Sequence, residues 1–240
     1  MEEKTRVQKF IAVSGLCSRR AAEDLIKQGK VKVNGETISI GDSCLKTDKI
    51  EVDGKVISFN LNDKVYIVLN KSSGYVTTNE DEFGRKTVFD FLDEKDKRDN
   101  LFSVGRLDKD TSGLLILTND GDFAQSVIHP SKDIAKEYIV QTDKELRRDD
   151  EQKLKDGIIL DDYKLKPTQI RRIAENKYVV VIYEGRKRQI RRMFEELGYK
   201  VENLHRIKIG GLDLKELGLG FKEYAFVTKK FLEEKIFQKN

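Results

Sequence analysis

One segment of the chain combines charged, small and apolar residues in an order that packing alone does not require: Val104-Gly-Arg-Leu-Asp-Lys-Asp-Thr-Ser-Gly-Leu-Leu-Ile-Leu-Thr-Asn-Asp-Gly121. Its apolar run, Leu114 to Leu117, is short enough for a strand buried on both faces, and the Asn-Asp-Gly that follows is typical of a tight turn. The half before it, bracketed by two glycines, places the opposite charges of Arg106 and Asp108 two residues apart. The sequence therefore predicts a charged loop carried by a rigid strand.

This segment resembles the catalytic motif of bacterial ribosomal RNA pseudouridine synthases of the RsuA/RluB group. The likeness covers Gly-Arg-Leu-Asp108, then Thr111 and Gly113, and continues through Leu-Leu-Ile-Leu-Thr-Asn-Asp-Gly121. It implies that Asp108 is the catalytic aspartate of an enzyme that detaches uracil from ribose and reattaches it through carbon. Without the resemblance, Asp108 would read as an ordinary turn former.

The composition limits the classes of protein to consider. A chain of 240 residues can bury two cores, and we expect a domain at residues 1–60 and another at 61–240, with a polar linker near Ser58 to Asp63. Lys+Arg (46) and Asp+Glu (42) nearly cancel to a net charge of +4, so the charge distribution is more informative than the sum. No run approaches the ~18 apolar residues of a membrane span, and the start lacks the pattern of a secretory signal. We expect a cytoplasmic protein with no membrane partner.

Neither a metal nor a cofactor is expected. Two cysteines, Cys17 and Cys44, fit a reducing compartment, and two histidines, His129 and His205, show no metal-ligand spacing. No Walker-type loop and no Gly-x-Gly-x-x-Gly after a strand occurs, so no nucleotide cofactor is implied. The isomerisation that the resemblance implies involves no net oxidation or hydrolysis and needs no cofactor either.

The first sixty residues predict two short helices and a hairpin. Apolar residues recur at helical spacing between Val7 and Ile11, Ser18 can cap a second helix that ends at Gly29, and Asn34-Gly35 is a strong hairpin signal. From Arg6 to Gly35 the chain resembles a small αα-ββ RNA-binding module shared by a ribosomal protein and several RNA-modifying enzymes. That resemblance implies RNA binding at residues 1–60.

Two arginines of this module occupy helix positions at which cations are usually unfavourable. Arg19 and Arg20 occupy the predicted first turn of the second helix, where the helix dipole opposes cations, so they are candidates to bind an anion. An ordinary solvated basic face is the alternative. The predicted RNA-binding residues of the module are Arg6, Lys9, Ser18, Arg19, Arg20, Lys27, Lys30 and Lys32.

Residues 61–240 predict an α+β catalytic domain with a mixed, mostly antiparallel sheet. Family members usually have Lys-Pro and then Gly after the first strand, whereas this chain has Lys71-Ser-Ser-Gly74, a less restricted loop that loses no reactive group. A lone histidine before proline, His129, is more often a structural or RNA-facing residue than a general base. The predicted elements are strands at Val65 to Leu69, Leu114 to Leu117, from Lys136, at Tyr178 to Tyr183 and at Leu204 to Ile209, the last with one RNA-facing side; a short helix at Val88 to Leu92; a helix or strand at Phe123 to Ile128; a helix from Ile190 to Gly198; and a terminal helix from Phe226 to Phe237.

Two further active-site residues are assigned by resemblance. The family's Lys-x-Tyr segment places Tyr138 in the active site, although a tyrosine at the edge of a core is the alternative. The segment Gly-Arg-x-x-Gln-Ile/Val-Arg-Arg-Met carries the active-site arginine onto Arg191, at the margin of the buried helical stripe. The basic residues near Arg191 are better placed to contact phosphates. The predicted RNA-binding residues of this domain are Arg106, Arg186, Lys187, Arg188 and Arg192.

The chemistry implied by the resemblance needs an ionised carboxylate. Asp108 would either attack and hold the detached fragment or abstract a sugar proton, and Arg191 is the expected cation that keeps it charged. A uracil in folded RNA must first be flipped out, and Tyr138 would recover part of the lost stacking. We therefore predict a monomer that isomerises a specific uridine of ribosomal RNA, more closely resembling large-subunit enzymes. The alternatives are a non-catalytic RNA-binding assembly factor and a synthase for small-subunit ribosomal RNA or transfer RNA.

Overall fold

The computed structural model describes residues 4–58, 63–98 and 100–237, which divide into two compact units. The first unit extends to Lys64 and includes Arg98–Leu101; the second comprises Val65–Lys97 and the chain from Phe102 onwards. The predicted linker falls largely on residues 59–62, which lie outside the described residues, as does the boundary predicted at residue 60.

The first unit contains short helices and strands around one apolar core. In chain order these are β1 (Thr5–Arg6), α1 (Val7–Val13), α2 (Arg19–Lys27), β2 (Val31–Val33), β3 (Glu36–Thr37), β4 (Ser43–Cys44), β5 (Ile50–Val52) and β6 (Lys55–Ile57). The backbone N–H of Ala21 donates to Ser18 Oγ at 3.2 Å, so Ser18 caps α2 as predicted. Strands β2 and β3 pair around the predicted Asn34-Gly35 turn. The order of two helices and a hairpin is confirmed, whereas the sequence made no prediction for the β5–β6 hairpin.

The second unit is built on a large sheet. The strands of this unit are β7 (Tyr66–Lys71), β8 (Phe102–Ser103), β9 (Ser112–Thr118), β10 (Lys136–Thr142), β11 (Ile159–Leu160), β12 (Tyr163–Lys164), β13 (Gln169–Ala174), β14 (Lys177–Ile182), β15 (Val201–Ile209), β16 (Leu212–Asp213) and β17 (Tyr224–Phe226). Of these, β11 and β12 form a separate hairpin. Its α-helices are α3 (Gly121–Ile128), α4 (Arg148–Asp156), α5 (Gln189–Glu196) and α6 (Lys229–Phe237), with short 3₁₀ turns at Val88–Phe91, Glu94–Asp96 and Pro130–Lys132.

The sheet order is β13-β14-β10-β15-β9-β7-β17, with β16 beside β15 and β8 beside β9. Among the described strands of this sheet, β9 and β15 pair in parallel and the other neighbours pair antiparallel. The predicted α+β class with a mixed, mostly antiparallel sheet is therefore confirmed. Within the described ranges, no helix has the length and hydropathy to cross a membrane.

One face of the sheet packs against α3 and α6. Tyr66 and Val68 of β7 and Leu114 of β9 lie in an apolar cluster with Phe123 of α3 and Leu232 of α6. Because side chains alternate along a strand, the residues between them point to the opposite face. That opposite face includes Lys71 and Gly113, the strand positions next to the charged loop.

The terminal helix is shorter than predicted. It begins at Lys229, and Tyr224–Phe226 instead forms the edge strand β17, whose residues pair with Ile67 to Leu69 of β7. The sequence could not show this pairing, because the apolar run from Phe226 continues directly into the helix and the partner strand is far away in the chain.

Candidate active site

A row of residues crosses the middle of the sheet. In the strand registers Lys71 lies opposite Gly113, Gly113 opposite Arg206, and Arg206 opposite Tyr138. Residues directly opposite one another on paired strands point to the same face. We call Lys71, Gly113, Arg206 and Tyr138 the polar row; it forms one strip of the face that α3 and α6 leave uncovered.

Gly113 allows the two central strands to approach closely. Its φ is +110°, and a Cβ at this position would lie 2.1 Å from the backbone oxygen of Arg206. Any other residue would collide with β15, because backbone atoms cannot move aside as a flexible side chain can. The glycine that ends the charged loop therefore sets the spacing of β9 and β15.

Lys71 supports the charged loop by donating hydrogen bonds to its backbone oxygens. Its side chain is fully buried, and Nζ donates to the backbone oxygens of Thr111 at 2.6 Å, Asp108 at 3.0 Å and Lys109 at 3.3 Å. Burial lowers the pKa of Lys71 to about 8, although the charges of Asp110 and Asp108 act in the opposite direction. The sequence analysis assigned no role to Lys71. The feature that could have indicated one is the position of this lysine at the end of an apolar strand.

Asp108 projects from this loop with a third (33%) of its side chain exposed. The nearest ion-pair atom among the described residues is Nη1 of Arg188, 3.9 Å from Asp108 Oδ2. The predicted pairing with Arg191 is not the one observed, since Arg191 contacts Asp110 instead. Arg188, predicted as a phosphate contact, is thus the arginine closest to the Asp108 carboxylate.

Asp110 binds both arginines that enter the site from α5. Nη1 and Nη2 of Arg188 each donate to a different Asp110 carboxylate oxygen at 3.1 Å, and Arg191 Nε lies 3.2 Å from Oδ2. Arg191 also donates from Nη2 to the Asp110 backbone oxygen at 2.9 Å and from Nη1 to Val201 O at 2.8 Å. Arg191 pairs with Asp110 because the backbone oxygen and the carboxylate of Asp110 both face its guanidinium. No sequence pattern shows this contact.

The charges of this network are strongly coupled. Burial alone would raise the pKa of Asp110, but the hydrogen bonds from Arg188 and the charges of both arginines hold it below its usual range. Burial lowers the pKa of Arg191, and the carboxylates of Asp110 and Asp108 partly offset this effect. Both carboxylates therefore lie in the field of cations that α5 and β7 supply.

The start of α5 is shaped to present these arginines. Arg188 precedes the helix with a left-handed φ of 52°, and Gln189 Oε1 accepts a hydrogen bond from the Arg186 backbone N–H at 3.0 Å. Met193 and Phe194 are fully buried, so the apolar stripe predicted from the sequence anchors the helix. Arg188 and Arg191, three residues apart, consequently point toward the same loop.

Tyr138 and Arg206 of the polar row are buried, as Lys71 is. Tyr138 is 8% exposed and Arg206 is 5% exposed. Arg206 Nε donates to Leu114 O at 2.8 Å, while Nη2 has no hydrogen-bond partner among the described residues. The side chain of Arg206 is therefore not on an exposed, RNA-facing side of β15, because it is buried and bonded to the backbone of β9.

The other predicted RNA-binding residues differ in their accessibility. In the first unit the exposed ones are Arg6, Ser18, Arg19, Arg20, Lys27, Lys30 and Lys32, and Lys9 is half-buried. In the second unit Arg106 and Lys187 are exposed. Two others contact the β11–β12 hairpin: the Arg186 guanidinium lies 3.4 Å from the centre of the Tyr163 ring, and Arg192 pairs with Asp161 at 2.6 Å.

A cavity opens beside Asp108. It has a volume of about 370 Å³ and is lined by residues from segments 76–85 and 106–109, including Arg106 and Asp108. In the described part of the chain, no group of three or more His, Cys, Asp or Glu residues is arranged to hold a metal ion. The site thus offers a partly exposed carboxylate, guanidinium groups and an adjacent cavity.

Comparison with known proteins agrees with this arrangement. A family model described as RNA pseudouridylate synthase matches residues 65–196, and one described as S4 domain matches residues 5–50. The chain is 41% identical over 226 residues to Ribosomal large subunit pseudouridine synthase B of Bacillus subtilis (strain 168), covering 90% of this chain and 89% of that protein. It is 36% identical over 220 residues to Dual-specificity RNA pseudouridine synthase RluF of Salmonella typhi, covering 91% and 75%. A crystal structure of a pseudouridylate synthase aligns with a TM-score of 0.71 at 32% identity, over 96% of this chain and 99% of that one.

These matches define an RNA-modifying enzyme with an amino-terminal S4 domain. The chain belongs to the RNA pseudouridine synthase family, so the resemblance seen in the Asp108 segment is confirmed. Its substrate is RNA.

Replacing Asp110 by Asn is expected to slow catalysis while sparing the fold. The neutral amide would weaken two charge-assisted hydrogen bonds from Arg188 and the ion pair with Arg191, contacts worth ~1.5–3 kcal/mol. We expect kcat to fall about ten- to a hundredfold, with the KM for RNA changing less than threefold or so. Asp161→Asn is the matched control, since it removes a carboxylate that pairs with another arginine of α5, Arg192. Equal effects of the two substitutions on kcat would contradict a special role for Asp110.

Proposed function

We propose that this enzyme converts a specific uridine of large-subunit ribosomal RNA to pseudouridine, using Asp108 as its catalytic residue. The observation that carries the residue assignment is the Asp108 carboxylate, one-third exposed at a cavity and 3.9 Å from a guanidinium. The choice of RNA rests on the relative from Bacillus subtilis, whose name specifies the large ribosomal subunit. With a ribosomal substrate we also propose a cytoplasmic location.

The proposed chemistry begins with an ionised Asp108. The carboxylate can either attack carbon 1′ of the ribose as the glycosidic bond breaks or remove a proton from the sugar; the geometry is compatible with both. Arg188 lies 3.9 Å from this carboxylate, and Asp110 holds Arg188 and Arg191 together beside the loop that carries it. Arg188 is the arginine better placed to contact Asp108 directly.

The target uridine is proposed to leave the RNA stack before it reacts. A base inside folded RNA is inaccessible, so an enzyme that acts on it must extrude it into a pocket. The cavity of about 370 Å³ beside Asp108 is large enough for a nucleoside-sized group. Tyr138, on the same face of the sheet as the rest of the polar row, is proposed to contact the flipped base, as the sequence analysis predicted.

Phosphate contacts are proposed for exposed basic residues of both units. In the S4 domain Arg19 and Arg20 open α2 without an acidic residue in the first turn, which leaves the helix start free to meet a phosphate. In the second unit Arg106 and Lys187 are exposed. Two modest RNA-binding surfaces on one chain give a higher overall affinity than either surface alone.

A monomer is proposed because one chain supplies both sides of the site. Asp108 and Asp110 come from the loop before β9, and their arginine partners come from α5 of the same chain. Light scattering on the purified enzyme, alone and with RNA, tests this; a dimer as the only active species would contradict it.

The test of the proposed function is a map of pseudouridine across total RNA from cells that lack the gene. Loss of a modification in large-subunit ribosomal RNA, restored by the wild-type gene, is the expected result. Loss confined to transfer RNA or small-subunit ribosomal RNA would reject the proposed substrate. An unchanged map would support a non-catalytic role in ribosome assembly.

A further inference from the structure

We propose that Phe83 and Arg85 form a base-binding subsite beside Asp108, which takes up an unpaired nucleobase next to the target uridine. This inference rests on the proposed function, because it assigns a role to the same cavity during RNA binding. Three observations support it: the exposed ring of Phe83, the hydrogen bonds by which Asp81 holds this loop, and the cavity that the ring shares with Asp108.

Phe83 is unusually exposed for its size. Its relative exposure is 77%, although it lies on a loop whose neighbouring residues line the cavity that contains Asp108 and Arg106. A single exposed apolar side chain is common on protein surfaces and carries no meaning by itself. At the rim of a catalytic cavity, however, a flat aromatic ring offers a stacking surface to any base that enters.

The loop holds the ring in a fixed arrangement. Asp81 Oδ2 accepts hydrogen bonds from the backbone N–H groups of Phe83 at 3.2 Å and Arg85 at 2.6 Å, and Asp81 Oδ1 accepts from Arg85 Nε at 2.9 Å. The Arg85 guanidinium carbon lies 4.9 Å from the centre of the Phe83 ring. Asp81 thus fixes the backbone at Phe83 and the guanidinium that lies against the ring, so binding of a base loses less conformational entropy.

The charges around the ring favour a base over a phosphate. Glu80, Asp81 and Glu82 line the cavity on the loop that carries the ring, where Arg85 is already paired with Asp81. The other cations of the cavity, Arg106 and Lys109, belong to the loop of Asp108, so a phosphate placed at the ring would meet carboxylates. A nucleobase is neutral, can stack on Phe83, and can accept a hydrogen bond from the guanidinium edge. The RNA backbone is therefore directed away from segment 80–82, toward the exposed cations Arg106 and Lys109 that line the cavity on the loop of Asp108.

The subsite would select the structure of the RNA and not its sequence. Every base has a π-face, so stacking tolerates any base, but only an unpaired base can leave its helix to reach Phe83. The enzyme should therefore prefer uridines whose neighbour is unpaired or easily unpaired.

The experiment compares Phe83→Ala with wild type on an in vitro transcript of large-subunit ribosomal RNA and on a synthetic fragment around the uridine that is modified. Fragments in which each neighbouring nucleotide in turn is abasic identify the base that binds. We expect Phe83→Ala to lower kcat/KM about tenfold on the intact fragment, and one abasic position to lower the wild-type value equally. The same abasic position should leave the kcat/KM of Phe83→Ala unchanged, because that variant already lacks the contact with the base.

Two control variants separate stacking from folding. Phe83→Tyr keeps the aromatic ring and should retain wild-type kcat/KM, whereas Phe226→Ala removes another exposed phenylalanine, 52% exposed, that does not line the cavity and should have no effect. If Phe83→Ala matches wild type on every fragment while both form pseudouridine, the subsite is rejected and the proposed function stands. If wild type forms no pseudouridine in either RNA, the proposed function itself fails.

Discussion

Asp108→Asn is expected to abolish pseudouridine formation, with a loss of at least about 10⁴-fold in single-turnover rate. An amide neither attacks a carbon centre nor takes up a proton at neutral pH, so both routes left open for Asp108 are blocked together. The substitution preserves the shape of a side chain that is one-third exposed, so the free energy of unfolding should change by less than about 1 kcal/mol.

The measurement is the amount of pseudouridine formed in a ribosomal RNA transcript with enzyme in excess. RNA binding, measured separately by a mobility-shift assay, should persist, since the phosphate contacts are assigned to other residues. Asp161→Asn serves again as a control with full activity. An Asp108→Asn enzyme that keeps more than a few per cent of the wild-type rate would remove Asp108 from the chemistry and reopen the assignment of the site.

Lys71→Met should give the second large effect, because Lys71 joins the sheet to the loop that carries Asp108. Methionine fills a similar volume but leaves the backbone oxygens of Asp108, Lys109 and Thr111 without the Nζ donor. A displacement of about 1 Å in a catalytic group can cost ~10²-fold in rate, so we expect kcat to fall a hundredfold or more. The buried backbone oxygens lose their donor, which destabilises the folded state, and removal of the buried charge offsets part of this loss. The free energy of unfolding should therefore fall by ~2–4 kcal/mol.

The pH dependence of stability provides a second measurement on the same variant. The folded chain releases the Lys71 proton at a pKa of about 8, while the ordinary value is 10.5. Between these two values the unfolded chain binds more protons, so the stability of the wild type should rise with pH across this window. Lys71→Met should reduce that rise.

Lys136→Met is the matched control, because burial also lowers the pKa of Lys136 to about 8. Lys136 makes no hydrogen bond to the backbone oxygens of residues 108–111 in the structure. Its replacement should therefore reduce the rise of stability with pH by a similar amount and lower kcat much less than Lys71→Met does. If the two variants lost activity equally, support of the loop by Lys71 would be contradicted.

The sequence predicted those parts of the fold that depend on local patterns. The Ser18 cap, the Asn34-Gly35 hairpin and the buried stripe of α5 all follow from residue spacing within one element. The charge-rich segment from α4 to β13 carries little apolar periodicity, and no elements were predicted there. Strand β17 was missed for a different reason, because its only evidence is its pairing with β7.

The candidate site was predicted less completely than the fold. Residue patterns and the family resemblance indicated Asp108 and Arg191. The sequence does not show which carboxylate each arginine contacts, because this depends on side-chain positions to within about 1 Å. Asp110, only two residues from Asp108, therefore went unnoticed as the acceptor for both arginines. Lys71 was overlooked because an exposed lysine is the rule, and its burial arises only when β7 pairs with β9.

The parallel pairing of β9 with β15 also determines when the enzyme can become active during its synthesis. Ser112 and His205, which lie opposite one another, are separated by 93 positions, so the ribosome must add most of the catalytic domain after the loop before that loop gains its neighbour. The S4 domain, in contrast, has its apolar core between Val7 and Ile57 and can form that core soon after these residues emerge. Since pairings between distant segments form slowly, a growing chain should be able to hold RNA well before it can modify it.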